Sequence, residues 1–182
     1  MAKRTRNDLL DAMAEHVLAE GLNTASLRPL ARAAGTSDRM LIYHFGSKEG
    51  LIDALLGHLA AALSARLDHA FAGHRFANRG EALQAVVSLM RAPQQAGYGR
   101  VWLDVLSAAG QGSAAHRSAA QTILQGFIDW LARRLPAQDA APQETAAALM
   151  TLVEGVVVMD AAGHSAAADR AVALLGPRLD QA

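Results

Sequence analysis

Residues 26–48 read Ser26-Leu27-Arg28-Pro29-Leu30-Ala31-Arg32-Ala33-Ala34-Gly35-Thr36-Ser37-Asp38-Arg39-Met40-Leu41-Ile42-Tyr43-His44-Phe45-Gly46-Ser47-Lys48. Ser26 and Ser37 each precede an apolar-periodic run, as helix N-caps do. With Ser26 as cap, Pro29 falls at the third helical position, where the missing amide has no intrahelical partner to lose. Gly35 permits the left-handed backbone of a tight turn, and Gly46 ends the second helix. Leu27, Leu30, Ala31 and Ala34 can face inward from the first helix, Leu41 and Phe45 from the second. This is the geometry of a helix-turn-helix, whose second helix enters the major groove while the first crosses the backbone. The remaining face of that second helix displays Asp38, Arg39, Met40, Tyr43 and His44. Such side chains hydrogen-bond phosphates or base edges, or touch a thymine methyl.

On the N-terminal side, Leu10, Met13, Val17 and Leu18 repeat at helical spacing up to Gly21. On the C-terminal side, Ser47 caps a long helix over 48–70 with a stripe of Leu51, Leu55, Leu59, Ala62, Leu63 and Leu67. The spacing predicts further helices near 81–91, 98–109, 113–135, 143–162 and 166–175, separated by proline and glycine breaks. Composition agrees. Of 182 residues, 41 are alanine, whereas Val, Ile and Thr together number 20. Alanine is the best helix former and the others favour strands, so the chain reads as all-α. Its length suits one compact domain or a small domain fused to a larger one.

Several classes are excluded. Cysteine is absent, which removes disulfide frameworks, zinc–thiolate sites and iron–sulfur clusters. The longest stretches free of Asp, Glu, Lys and Arg are 12 residues, at 54–65 and 105–116, too short for a membrane-spanning helix. Asp8, Asp11 and Glu15 interrupt any signal-like apolar run, so a cytoplasmic location without a membrane partner is expected. The 17 basic and 17 acidic residues cancel. Within residues 1–48, however, seven basic side chains face five acidic ones, and a local basic face is what counterion release requires.

Residues 9–56 resemble the DNA-binding domain of the tetracycline-repressor-like (TetR) family, including its Tyr-His-Phe-x-x-Lys ending at Tyr43-His44-Phe45-Gly46-Ser47-Lys48. The resemblance implies a homodimeric repressor on double-stranded DNA, with a helical domain that binds a small-molecule effector. It places the DNA-binding domain over 1–46 and the regulatory and dimerisation domain over 47–182. Lys48 resembles the family's phosphate-binding lysine, and Tyr43 and His44 its backbone-contacting pair. Arg28 and Arg39 are expected to read bases, because guanidinium is the commonest bidentate partner of guanine. Thr24 and Ser26 would contact phosphate while capping the helix, and Ser37, Asp38 and Met40 complete the expected interface. Many members have Lys-Gly-Thr where this chain has Asp38-Arg39-Met40. Asp38 suits the helix dipole but repels phosphate, so the operator sequence cannot be carried over.

The stretch 149–158 is nearly apolar all round and needs cover on more than one face. A partner subunit supplies it if Leu149, Val153, Val156 and Val157 join Val172 and Leu175 of the last helix in an intersubunit four-helix bundle. A helix central to its own domain is the alternative. Met90, Trp102, Leu106, Phe127, Trp130 and Glu154 are candidates for an effector cavity, with Asp104 and Gln125 as further polar anchors. Simple core packing is the competing reading for each. The seven histidines show neither Glu-x-x-His pairs nor His-Glu-x-x-His, and no metal or other cofactor is expected. No nucleophile elbow or nucleotide loop appears, and no catalytic residue is expected. Two rival functions remain: a constitutive DNA-binding dimer without effector, and a helical enzyme or carrier that merely contains the helix-turn-helix shape.

Overall fold

The computed structural model describes residues 5–22 and 26–181, and among these there is no β-strand. In chain order the helices are α1 (Arg6–Glu20), α2 (Leu27–Ala33), α3 (Asp38–Phe45), α4 (Lys48–Ala70) and α5 (Arg79–Met90). They are followed by α6 (Ala96–Gly110), α7 (Ala114–Ala132), α8 (Pro142–Ala161) and α9 (Ser165–Leu175). Two compact units result. The first takes 1–67 and 97–123, the second 68–96 and 124–182.

The first unit is built on a leucine-rich core. Leu10, Met13 and Val17 of α1, Leu30 of α2, Leu41 of α3 and Leu51 and Leu55 of α4 are all buried, with Val101 and Val105 of α6 beside them. α1 starts from a capping box: Thr5 accepts from the Asp8 N–H, and the Asp8 carboxylate accepts from the Thr5 N–H. This is the reciprocal arrangement that satisfies two orphan donors. α4 is long and apolar enough to cross a bilayer by length and composition, although no uncharged run in the sequence suggests it. Its apolar residues are accounted for by core packing: Leu51, Ile52, Leu55, Leu56, Leu59, Leu63 and Leu67 are buried.

α6 grips the end of α1. The Asp104 carboxylate accepts the Leu22 N–H at 2.8 Å, and Arg100 donates to the Ala19 carbonyl at 2.8 Å. Gly97 makes the close approach possible, since a Cβ there would lie 2.6 Å from the Leu18 carbonyl oxygen. Gly97 is the second residue of α6, and the absence of a side chain there lets the two backbones come close.

The second unit packs α5, α8 and α9 around Leu83, Val86, Leu149, Met150, Val153 and Ala168. α5 begins earlier than its apolar pattern suggests because Asn78 caps it, accepting the Glu81 N–H at 2.7 Å. α7 ends earlier than the expected 135. Pro136 disfavours helix at the residue before it, and the Arg134 carbonyl turns to accept the Phe76 N–H at 2.8 Å. Two arginines cross-link the helices. Arg79 donates to Asp139 at 2.8 Å and to the Leu179 carbonyl at 3.0 Å. Arg91 engages Asp160 through two nitrogens at 2.7 and 2.9 Å, and also Asp169.

Candidate nucleic-acid interface

The turn between α2 and α3 is specified by backbone hydrogen bonds. The Thr36 N–H donates to the Ala31 carbonyl at 2.9 Å and the Gly35 N–H to the Arg32 carbonyl at 3.1 Å. With Gly35 at φ 60°, this is a Schellman closure, which satisfies the last carbonyls of α2. Ser37 then starts α3 at once, its hydroxyl oxygen accepting the Met40 N–H at 3.3 Å. Ser26 behaves differently. Its backbone is extended as at an N-cap, but its side chain makes no capping hydrogen bond. The expected cap bond is therefore not formed, while the residue itself is exposed. Thr24 lies outside the described residues.

α3 is two-faced. Leu41 and Phe45 are buried, whereas Arg39, Met40 and Tyr43 are exposed, Tyr43 at 76%. Asp38 and His44 are half-buried. Residues 39, 40 and 43 fall within about 100° of the helix circumference at 3.6 residues per turn, so one outward arc carries all three. The Tyr43 and His44 rings meet edge to face at 5.4 Å. Behind them the guanidinium of Arg6 stands over the Phe45 ring at 4.9 Å, tying α1 to the inner side of α3. Arg28 and Arg32 of α2 are exposed, and Arg32 is a cation outside the expected set of DNA contacts.

The corner between α3 and α4 sets where Lys48 stands. Gly46 takes φ 82°, Ser47 accepts the Gly50 N–H at 3.0 Å, and Lys48 is exposed at the first position of α4. A Cβ on Gly50 would lie 2.5 Å from the Phe45 carbonyl oxygen, so only glycine allows α4 to start this close to α3. Glu49 is held ionised by hydrogen bonds from its own backbone N–H and from Ser47. The corner thus presents an ammonium beside a carboxylate, and the cationic character of the face rests on Lys48 together with Arg28, Arg32 and Arg39.

The other expected sites fall as follows. Trp102 and Leu106 belong to the first unit, whereas Met90, Phe127, Trp130 and Glu154 belong to the second. Trp130 is buried, donates to Asp68 at 2.9 Å and packs edge to face on Phe71 at 5.7 Å. Asp104 is engaged by the Leu22 amide, and Gln125 donates to Asp129 at 2.9 Å. Of the expected dimer residues, Leu149, Val153 and Val156 are buried within the single chain. Val157, Val172 and Leu175 are half-buried, and Val158 and Leu174 stand exposed nearby in the chain. Three histidines have polar partners: His58 meets Asp11 at 2.8 Å, His74 meets Glu81 at 3.4 Å and His116 meets Ser113 at 2.7 Å.

Comparison with known proteins bears on this surface. The family described as bacterial regulatory proteins, tetR family, matches residues 9–55. The HTH-type transcriptional regulator BetI of Serratia proteamaculans (strain 568) is 36% identical over 87 residues, 46% of this chain and 42% of that protein. The HTH-type transcriptional repressor NicS of Pseudomonas putida (strain KT2440) is 35% identical over 63 residues, 35% of this chain and 30% of that protein. The chain spans less than half the length of these curated relatives. The fold extends further than the sequence likeness. A crystal structure of a TetR-family transcriptional regulator from Cytophaga hutchinsonii matches with a TM-score of 0.67 at 21% identity, covering 97% of this chain and 93% of that one.

Proposed function

The chain is TetR-like, in sequence over residues 9–55 and in fold over its length, and from that premise we propose that it is a homodimeric transcriptional repressor of palindromic operators. In this reading residues 1–46 bind double-stranded DNA in the cytoplasm, and residues 47–182 dimerise and take a small-molecule effector. The protein is a binding protein, not an enzyme. The carrying observation is α3 itself: an eight-residue helix with a buried inner face and an outer arc of Arg39, Met40 and Tyr43, followed by an exposed Lys48. α3 enters the major groove and α2 lies across the backbone. Arg39 and Arg28 contact base edges. Tyr43, His44, Lys48 and Ser26 contact the DNA backbone, and Ser37, Asp38 and Met40 complete the interface. Effector binding in the helical domain changes the separation of the two heads. A differential affinity of about 1–3 kcal/mol is enough to shift operator affinity roughly 5–150-fold.

The test is selection of bound duplexes from a random library, followed by a salt titration on the selected sequence. An inverted repeat whose affinity falls steeply with salt is expected. Lys48→Ala should weaken binding on all sequences and reduce the log–log salt slope by about one per protomer. Tyr43→Ala should weaken binding likewise. Enrichment of no duplex over bulk DNA sinks the proposal. An unchanged affinity in both variants removes α3 and its corner from the interface.

A further inference from the structure

Among the described residues of the first unit, the large apolar side chains left exposed are Met40 and Tyr43, and both lie on α3. Tyr43 carries a hydroxyl that water can satisfy. Met40 carries none, yet 39% of it is open to solvent. Folding does not account for it, because the helix already buries Leu41 and Phe45 on its other side. Its position is well fixed nonetheless. Met40 occupies the third position of the helix, and its N–H donates to both the carbonyl and the hydroxyl of Ser37, at 3.0 and 3.3 Å.

Resting on the operator-binding reading above, we propose that Met40 reads the 5-methyl group of a thymine in each half-site. The first turn of a recognition helix faces base edges. Along the major-groove edge of B-DNA, the thymine methyl is the apolar feature, and the other exposed groups are donors and acceptors. A long unbranched thioether reaches such a methyl and adapts to its position, and it supplies no hydrogen bond to compete with Arg39. Asp38, one residue further back, repels phosphate, which favours seating this turn over bases rather than over the backbone.

The experiment uses the full chain and its selected operator with each thymine replaced in turn by deoxyuridine, which pairs identically but lacks the methyl. Affinity is read by fluorescence anisotropy. One symmetric pair of replacements should weaken binding about fourfold per half-site, and about fifteenfold for both, the worth of one buried methyl group each. Met40→Ala should bind the thymine and deoxyuridine operators equally. Met40→Leu, which keeps an apolar reach, should retain the preference, so that a loss in M40A is not a folding defect. Sequence-specific binding that no deoxyuridine replacement weakens, or an M40A variant that keeps the preference, overturns the assignment to Met40 alone. Absence of any selected duplex overturns it together with the reading on which it rests.

Discussion

Gly50 shows how a single atom controls the placement of Lys48. An alanine Cβ at Gly50 would press on the Phe45 carbonyl at 2.5 Å, and a backbone oxygen cannot rotate away. Gly50→Ala should cost about 1–3 kcal/mol in urea denaturation, in the range of overpacked sites. Gly57, in the same helix, has nothing within 4 Å of its missing Cβ. Gly57→Ala should therefore stabilise by about 0.5–1 kcal/mol, the ordinary helical preference for alanine. If both variants behave alike, the close contact is not the cause. Asp104 makes a second local prediction. Its carboxylate holds the amide of buried Leu22, so Asp104→Ala should cost about 1.5–3 kcal/mol, and Asp104→Asn, which keeps an acceptor, should recover part of it.

The helices of the second unit are tied by ion pairs whose carboxylates titrate abnormally. The Arg91 guanidinium holds Asp160 below the usual carboxylate range, and Arg79 does the same for Asp139. Both arginines are pushed further up by these bonds and stay charged throughout. A carboxylate whose folded pKa is depressed contributes stability above the unfolded value, and that stability is lost as pH falls through the folded one. Thermal stability should thus be flat near neutrality and decline below about pH 4, the ordinary Asp range. Asp160→Asn should lower stability at pH 7 and flatten the acid decline. A variant with an unaltered acid profile excludes Asp160 as a contributor. Asn78, which caps α5, and Thr5, which caps α1, show the same logic at helix ends: short polar side chains decide where each helix starts.

At the scale of the whole molecule, Val158 on α8 and Leu174 on α9 are large apolar side chains exposed at 51% and 55%. If these helices form the intersubunit bundle, Val158→Asp and Leu174→Asp should shift sedimentation from dimer to monomer and weaken operator binding, while leaving helix content intact. Dimers that persist in both variants place the interface elsewhere. Much of the architecture was legible beforehand, because it depends on neighbours in sequence. Capping serines, terminal glycines and leucine spacing placed α3 over 38–45 and α4 over 48–70, and the Tyr43–Lys48 ending lies within the segment that matches the tetR family. What the sequence could not disclose arises between residues far apart in the chain. Asp104 is a candidate effector anchor by sequence, and only the packed chain sets its carboxylate on the Leu22 amide 82 residues away. Gly97, at the start of α6, has to lack a side chain because it faces the Leu18 carbonyl. Local backbone preference acts over a few residues and can be read from order alone. Backbone contacts between helices and long-range hydrogen bonds exist only once the chain has packed, and these decided which polar groups hold the fold and which remain free to bind.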